Sequence, residues 1–198
     1  MKLYFAPRTR ATRPRWLLEE LEIPYELVKL DLSKQENRTS AYLALHPFGE
    51  VPVLVDGEVT LFESSAICLY LADRYPEKRL APPPASSERG PYLQWLLFAE
   101  VTLEPLVLEH YRNAQLPDEN KADLSTQLAR LDDVLTVIDT RLGGREFVAG
   151  AFFSAADLVL ASILHLANTV KLLERHPRLV DYVLRQTRRP AIRRAVAG

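Results

Sequence analysis

The sequence predicts an α/β domain of element order βαβαββα followed by an all-α domain. Three observations predict it. Short β-branched runs alternate with helical periodicity as far as Tyr75; a proline-rich stretch from Tyr75 to Ser87 breaks all periodicity; and only helical spacing follows. The expected division is a first domain at 1–80, a linker at 81–87 and a helical domain at 88–198.

Lys2–Phe5 is a short apolar strand, and Arg13–Leu21 is an amphipathic helix that carries Pro14 in its first turn, where proline is tolerated. Ile23–Leu32 alternates as a second strand, which makes the opening a right-handed βαβ unit with parallel strands. Ser33–Ser40 is polar loop, Ala41–Leu45 a short helix, and His46–Gly49 a turn. Val51–Val55 and Val59–Phe62 then form a hairpin about the turn pair Asp56-Gly57. Glu63, Ser64 and Ser65 open a helix whose apolar residues run on to Tyr75, so its first turn is expected to carry one acid and two hydroxyls. Pro52 cannot donate to a ladder, which places it at an edge or a bulge.

In the second part, Glu88–Arg112 reads as one helix kinked at Pro105. Asp118–Leu142 and Ser154 to about Glu174 are two more, followed by shorter helices at His176–Thr187 and from Pro190 onward. Ser154 and Asp157 make a capping signature, with Phe153 placed to staple against Leu158.

Lys and Arg number 25 against 26 Asp and Glu, a net charge of −1, so no overall field points to nucleic acid or an anionic membrane. The single cysteine, Cys68, excludes an intrachain disulfide framework, CxxC redox chemistry and a cysteine-rich metal site, and fits a reducing compartment. No metal is expected. No apolar run approaches membrane-spanning length, and the start reads as a strand, so the expected location is the cytoplasm.

The stretch from His46 to Ser65 asks for a chemical explanation. Pro52 is either a proline at the start of an edge strand, or the second residue of a cis bond that turns the N–H and C=O of Val51 outward to pair with an extended peptide. Glu63 and Ser64 favour the second reading. Helix-terminal N–H groups and the Ser64 hydroxyl suit a carboxylate, while Glu63 suits an ammonium. A small peptide carrying both groups fits.

This order resembles the thioredoxin-like domain of the cytosolic glutathione S-transferases, of the bacterial serine, beta or theta-like type. Two motifs carry the resemblance: His46-Pro-Phe-Gly-Glu-Val-Pro-Val-Leu54, similar to the family's NPxGxVPxL, and Leu61-Phe-Glu-Ser-Ser-Ala-Ile-Cys-Leu-Tyr-Leu71. It extends over essentially the whole chain. It implies glutathione as co-substrate, with Val51 pairing to its cysteinyl backbone, Pro52 cis, Ser64 on the γ-glutamyl carboxylate and Glu63 on the γ-glutamyl ammonium. For the glycyl carboxylate, the family often has Lys or Gln where this chain has Glu50, and Lys34, Asn37 or Arg38 are the candidates to compensate.

The family stabilises the glutathione thiolate with a Tyr, Ser or Cys after the first strand, and Pro7–Pro14 contains none of them. Thr9 falls where similar serine-type enzymes have their hydroxyl. Arg10 matches the cysteine of beta-type enzymes, and Thr12 is a third candidate or a helix cap. With Cys68 on another helix, glutathione itself must supply the nucleophile. The resemblance implies transfer to a hydrophobic electrophile, with peroxide reduction, dehalogenation or isomerisation as related activities, and a homodimer. Glu104, Leu108 and Tyr111 share helical spacing where the electrophile is expected, although such spacing also suits core or solvated face. The alternative is a glutathione-binding or protein-interaction module of the same fold without catalysis.

Overall fold

The computed structural model describes residues 1–197 and divides the chain into two compact units: Met1–Arg79 together with the segment from Arg189 onward, and Leu80–Arg188. The first unit runs β1 (Lys2–Phe5), α1 (Thr12–Leu21), β2 (Glu26–Lys29), α2 (Ser40–Leu43), β3 (Val53–Asp56), β4 (Val59–Phe62) and α3 (Ser64–Arg74). The sheet order is β2-β1-β3-β4, with β1 parallel to β2 and antiparallel to β3, and β3 antiparallel to β4. Helices α1 and α3 pack together. Leu17, Leu18, Leu21, Ile67 and Leu71 are buried on them, as are Leu3, Phe5, Val53 and Leu54 from the sheet. Each such side chain contributes about 1.5–3 kcal/mol relative to exposure. Cys68 is buried within this layer as a free thiol.

The hairpin differs from expectation by one residue. Asp56 pairs with Val59, so the turn pair is Gly57-Glu58. Gly57 has φ +62° at the first central position, the conformation a two-residue hairpin turn asks of glycine there. Strand β3 is central, between β1 and β4, and begins at Val53, so Pro52 lies one residue beyond the last pair, Tyr4 with Val53, and leaves the ladder intact. The second strand is shorter than its alternation suggested, because its pairing with β1 covers Glu26 to Lys29 alone.

The second unit contains α4 (Arg89–Leu97), α5 (Glu104–Ala114), α6 (Ser125–Leu142), α7 (Ala155–Thr169) and α8 (Pro177–Thr187). The kink expected at Pro105 is instead a change of helix type. A π-helical stretch, Phe98–Leu103, joins α4 to α5, and Pro105 sits in the first turn of α5, where its missing N–H costs little. Helix α7 packs against α4, α5 and α8, and most of its residues are buried, which explains its nearly continuous apolar sequence.

Asp157 in the first turn of α7 is fully buried. Its carboxylate accepts from the N–H of Val148 at 2.7 Å, the N–H and hydroxyl of Ser154 at 3.1 and 2.9 Å, and the hydroxyl of Tyr182 at 2.8 Å. Burial pushes the Asp157 carboxyl up, against the effect of these four donors. The residue therefore ties a loop, a helix start and α8 together, which is more than a cap.

The last helix, α9 (Pro190–Val196), belongs to the first unit and packs against α1. Among the described residues no helix is long and apolar enough to cross a membrane.

Candidate functional site

Four segments of the first unit carry the candidate residues: the loop between β1 and α1, the turn before β3, the start of α3 and the first turn of α1. In the loop, the Thr9 hydroxyl donates to the carbonyl of Ala6 at 2.7 Å and its oxygen accepts from the N–H of Ala11 at 3.2 Å. Arg8 adopts φ +59°, and Arg8 and Arg10 are exposed. Thr12 is the first residue of α1. Ala11 occupies the cap position without a side-chain bond, so Thr12 does not cap the helix.

Val51 and Pro52 are joined by a cis peptide bond. The turn that precedes them is held by three successive carbonyls. Arg38 Nη1 donates to Phe48 O at 2.9 Å, Asn37 Nδ2 to Gly49 O at 2.6 Å and the Tyr42 hydroxyl to Glu50 O at 2.6 Å. Gly49 has φ +60°, and a Cβ there would stand 2.6 Å from Asn37 O. Asn37 and Arg38 thus shape the turn that presents Val51, a task that sequence reasoning did not give them. Lys34 pairs with Asp31 at 3.3 Å.

Glu63 occupies the position before α3 with φ +70° and ψ +114°, and it is exposed. The expectation of an acid in the first helical turn is corrected: β4 must turn sharply into α3, and Glu63 takes that turn in a region that residues with a side chain rarely adopt. Ser64 opens the helix and is 2% exposed. The buried Ser65 hydroxyl beside it has no hydrogen-bond partner among the described residues.

Sequence reasoning missed Arg13. It is buried in the first turn of α1, and its Nη1 lies 3.4 Å from Ser64 Oγ. The available signal was its position, because a cation at a helix N-terminus opposes the helix dipole and calls for negative charge nearby. An open cleft of about 440 Å³ adjoins the Thr9 loop, between Ala6-Pro7 and the Lys29–Leu32 stretch. In the second unit Glu104 is buried, and Leu108 and Tyr111 are half-buried.

A sheet edged by an exposed β–α loop, a cis-proline turn and a strained helix start with a buried serine defines a thioredoxin-like ligand-binding unit, here followed by a helical unit. Residues 1–73 match the family "Glutathione S-transferase, N-terminal domain" and residues 95–190 match "Glutathione S-transferase, C-terminal domain". The chain is 30% identical to glutathione S-transferase GstA of Escherichia coli O157:H7 over 201 residues, covering all of this chain and 98% of that protein. It is 36% identical to glutathione S-transferase F10 of Arabidopsis thaliana over 151 residues, 71% of this chain and 68% of that one. A sphingomonad glutathione S-transferase solved in complex with glutathione superposes with a TM-score of 0.84 at 30% identity, over 99% of this chain and 97% of that one. The chain belongs to the glutathione S-transferase family.

Proposed function

We propose that this chain binds glutathione on its first unit and transfers it to a hydrophobic electrophile. The observation that carries the reading is the start of α3. Glu63 is held in a costly backbone conformation directly before a helix N-terminus, and the hydroxyls of Ser64 and Ser65 stand at that positive end. The N–H groups and the Ser64 hydroxyl receive the γ-glutamyl carboxylate, and Glu63 receives the γ-glutamyl ammonium. Val51, beyond the end of the β3 ladder, pairs with the cysteinyl backbone, and Pro52 fixes the turn in which Val51 is offered.

This pose directs the glutathione sulfur toward the Thr9 loop. There the positive end of α1, the Arg10 guanidinium and the Thr9 hydroxyl favour the thiolate over the thiol. The thiol proton leaves to solvent, and the sulfur lone pair forms a bond to the electrophilic carbon. Either a leaving group departs with its bonding pair, or an activated double bond takes up the charge and then a proton. The cleft beside Ala6 and Pro7 is lined by Leu30 and Leu32 together with Lys29, Asp31 and Glu36, so it offers an electrophile apolar surface bordered by charge. A homodimer is part of the proposal. Leu97 and Val101 are 48% and 69% exposed one turn apart on the second unit, an apolar surface that a second copy would cover. The cytoplasm is the location that fits a free thiol and a glutathione substrate.

Retention on immobilised glutathione tests the site. Glu63→Ala and Ser64→Ala should each weaken binding by ~1.5–3 kcal/mol as lost charged hydrogen bonds. Full retention of the double variant would overturn the assignment, and sedimentation as a monomer would remove the dimer from it. Glutathione binding with no lowering of its thiol pKa would leave a binding module without catalysis.

A further inference from the structure

Helix α9 is fastened to α1 by directional, charged contacts. The Glu20 carboxylate accepts Arg189 Nε at 2.6 Å, Arg189 Nη2 at 2.8 Å and Trp16 Nε1 at 2.9 Å. Glu19 accepts Arg194 Nε at 2.7 Å and the Tyr25 hydroxyl at 2.7 Å, and its backbone carbonyl takes Arg194 Nη2 at 2.7 Å. Arg15, buried, donates from Nη2 to the carbonyls of Arg194 at 3.3 Å and Ala197 at 2.8 Å. The Arg15 guanidinium also lies 4.8 Å over the ring of Phe5.

Glu19 and Glu20 stand in the last turn of α1, where negative charge opposes the helix dipole and which holds no basic residue, Arg15 one turn earlier acting on Glu19. Their guanidinium partners come from Arg189 and from α9. The leucines of α1 hold the helix to its unit by close but non-directional apolar packing. Bidentate guanidinium contacts add direction, because both donors must meet both acceptors, and so resist small rotations and slides along the axis. The axial position of α1 is therefore set at the Glu19–Glu20 end. A helix of this length is a stiff rod, so that setting carries to its other end, where Thr9, Arg10 and Thr12 stand. A second link runs through Arg15 to Phe5, the residue before Ala6, whose carbonyl holds the Thr9 hydroxyl.

We propose that Arg189 and Arg194 are positioning residues of the transfer reaction, holding α1 through Glu20 and Glu19 so that its N-terminal turn meets the glutathione sulfur. The inference rests on the function proposed above. Their direct field is too weak to account for such an effect. From Glu20 back to Thr12 the helix rises ~12 Å, beyond the ~8–10 Å over which surface charges are screened at physiological salt. Placement decides instead, since a displacement of ~1 Å can lower a rate by about 100-fold.

The test compares the native protein with Arg189→Met/Arg194→Met and Arg189→Lys/Arg194→Lys double variants. The readouts are turnover at saturating glutathione, the ultraviolet titration of the bound thiol, and the affinity for S-methylglutathione, which lacks an ionisable thiol. In the Met variant we expect turnover to fall by about tenfold and the bound thiol to titrate at higher pH, with S-methylglutathione affinity changed by less than about twofold. The Lys variant keeps charge and fold but loses the bidentate geometry, and should fall between the two. Native turnover and titration in the Lys variant would overturn the proposal even if the Met variant failed to fold. Equal losses of turnover and S-methylglutathione affinity in the Met variant would also overturn it, by showing a purely structural role. A native protein that binds glutathione without lowering its thiol pKa would instead remove the functional reading on which the proposal rests.

Discussion

The Thr9 hydroxyl donates to the carbonyl of Ala6 across 2.7 Å, which closes the loop at the end of β1 and engages the proton that a thiolate would need. To serve glutathione, the hydroxyl must exchange a neutral acceptor for a charged one. The gain is the difference between a charged hydrogen bond, ~1.5–3 kcal/mol, and a neutral one, ~0.5–1.5 kcal/mol, so about 1 kcal/mol. Thr9→Val is therefore expected to raise the bound-thiol pKa by less than about one, with the remaining stabilisation from Arg10 and the end of α1. Thr9→Val combined with Arg10→Ala should raise it further than either alone in the same ultraviolet titration. A rise of two or more from Thr9→Val alone would make the hydroxyl the dominant stabiliser.

Gly49→Ala should distort the turn that presents Val51. The left-handed backbone there costs a side chain ~1 kcal/mol or more, and the added Cβ would press on Asn37 O at 2.6 Å. A destabilisation of about 2 kcal/mol or more, with weaker glutathione retention, is the expected outcome in chemical denaturation and affinity chromatography.

Asp157→Ala should be far more costly than a lost surface cap. It strands the buried N–H groups of Val148 and Ser154 and the hydroxyl of Tyr182, all of which donate to that carboxylate. At ~1–3 kcal/mol for each buried group left unpaired, the loss is about 3 kcal/mol or more. A denaturation midpoint close to native would contradict this.

Acid stability should depend on Asp139. The hydrogen-bonded Arg178 guanidinium, at 2.9 and 2.8 Å, holds its carboxyl below the ordinary aspartate range. A carboxyl depressed in the folded state stabilises fully above its unfolded pKa, near 4, and loses that contribution as pH falls through its lower folded value. The melting-temperature gap between the native protein and Asp139→Asn should be complete above about pH 5 and shrink steadily as pH falls below the ordinary aspartate range. A gap independent of pH would refute the linkage.

What was legible in the sequence was local. Lys2–Phe5 is a strand at both ends as read, and the hairpin, the capping aspartate and the helix at Ser64 come from patterns within a few residues. The turn pair slipped by one because both Asp56-Gly57 and Gly57-Glu58 contain the glycine, and only the pairing of Asp56 with Val59 chooses between them. Pro105 was visible, but whether a helix bends, breaks or changes type there is decided by its neighbours in space. The long-range parts carried no local signal. Asn37 and Arg38 reach forward to the Gly49 turn, Arg13 meets Ser64, and Glu20 meets Arg189, 169 positions away.

That last separation bears on how the chain is made. The strands and helix of the first unit leave the ribosome before its last segment, yet Arg15, Glu19 and Glu20 of α1 take their partners from residues from Arg189 onward. At translation rates of ~5–20 residues per second, α1 waits on the order of ten to thirty seconds for these partners. Of the two units, the one begun first is the one completed last, so until that segment emerges the guanidinium of Arg15 stands open to solvent and to chaperones.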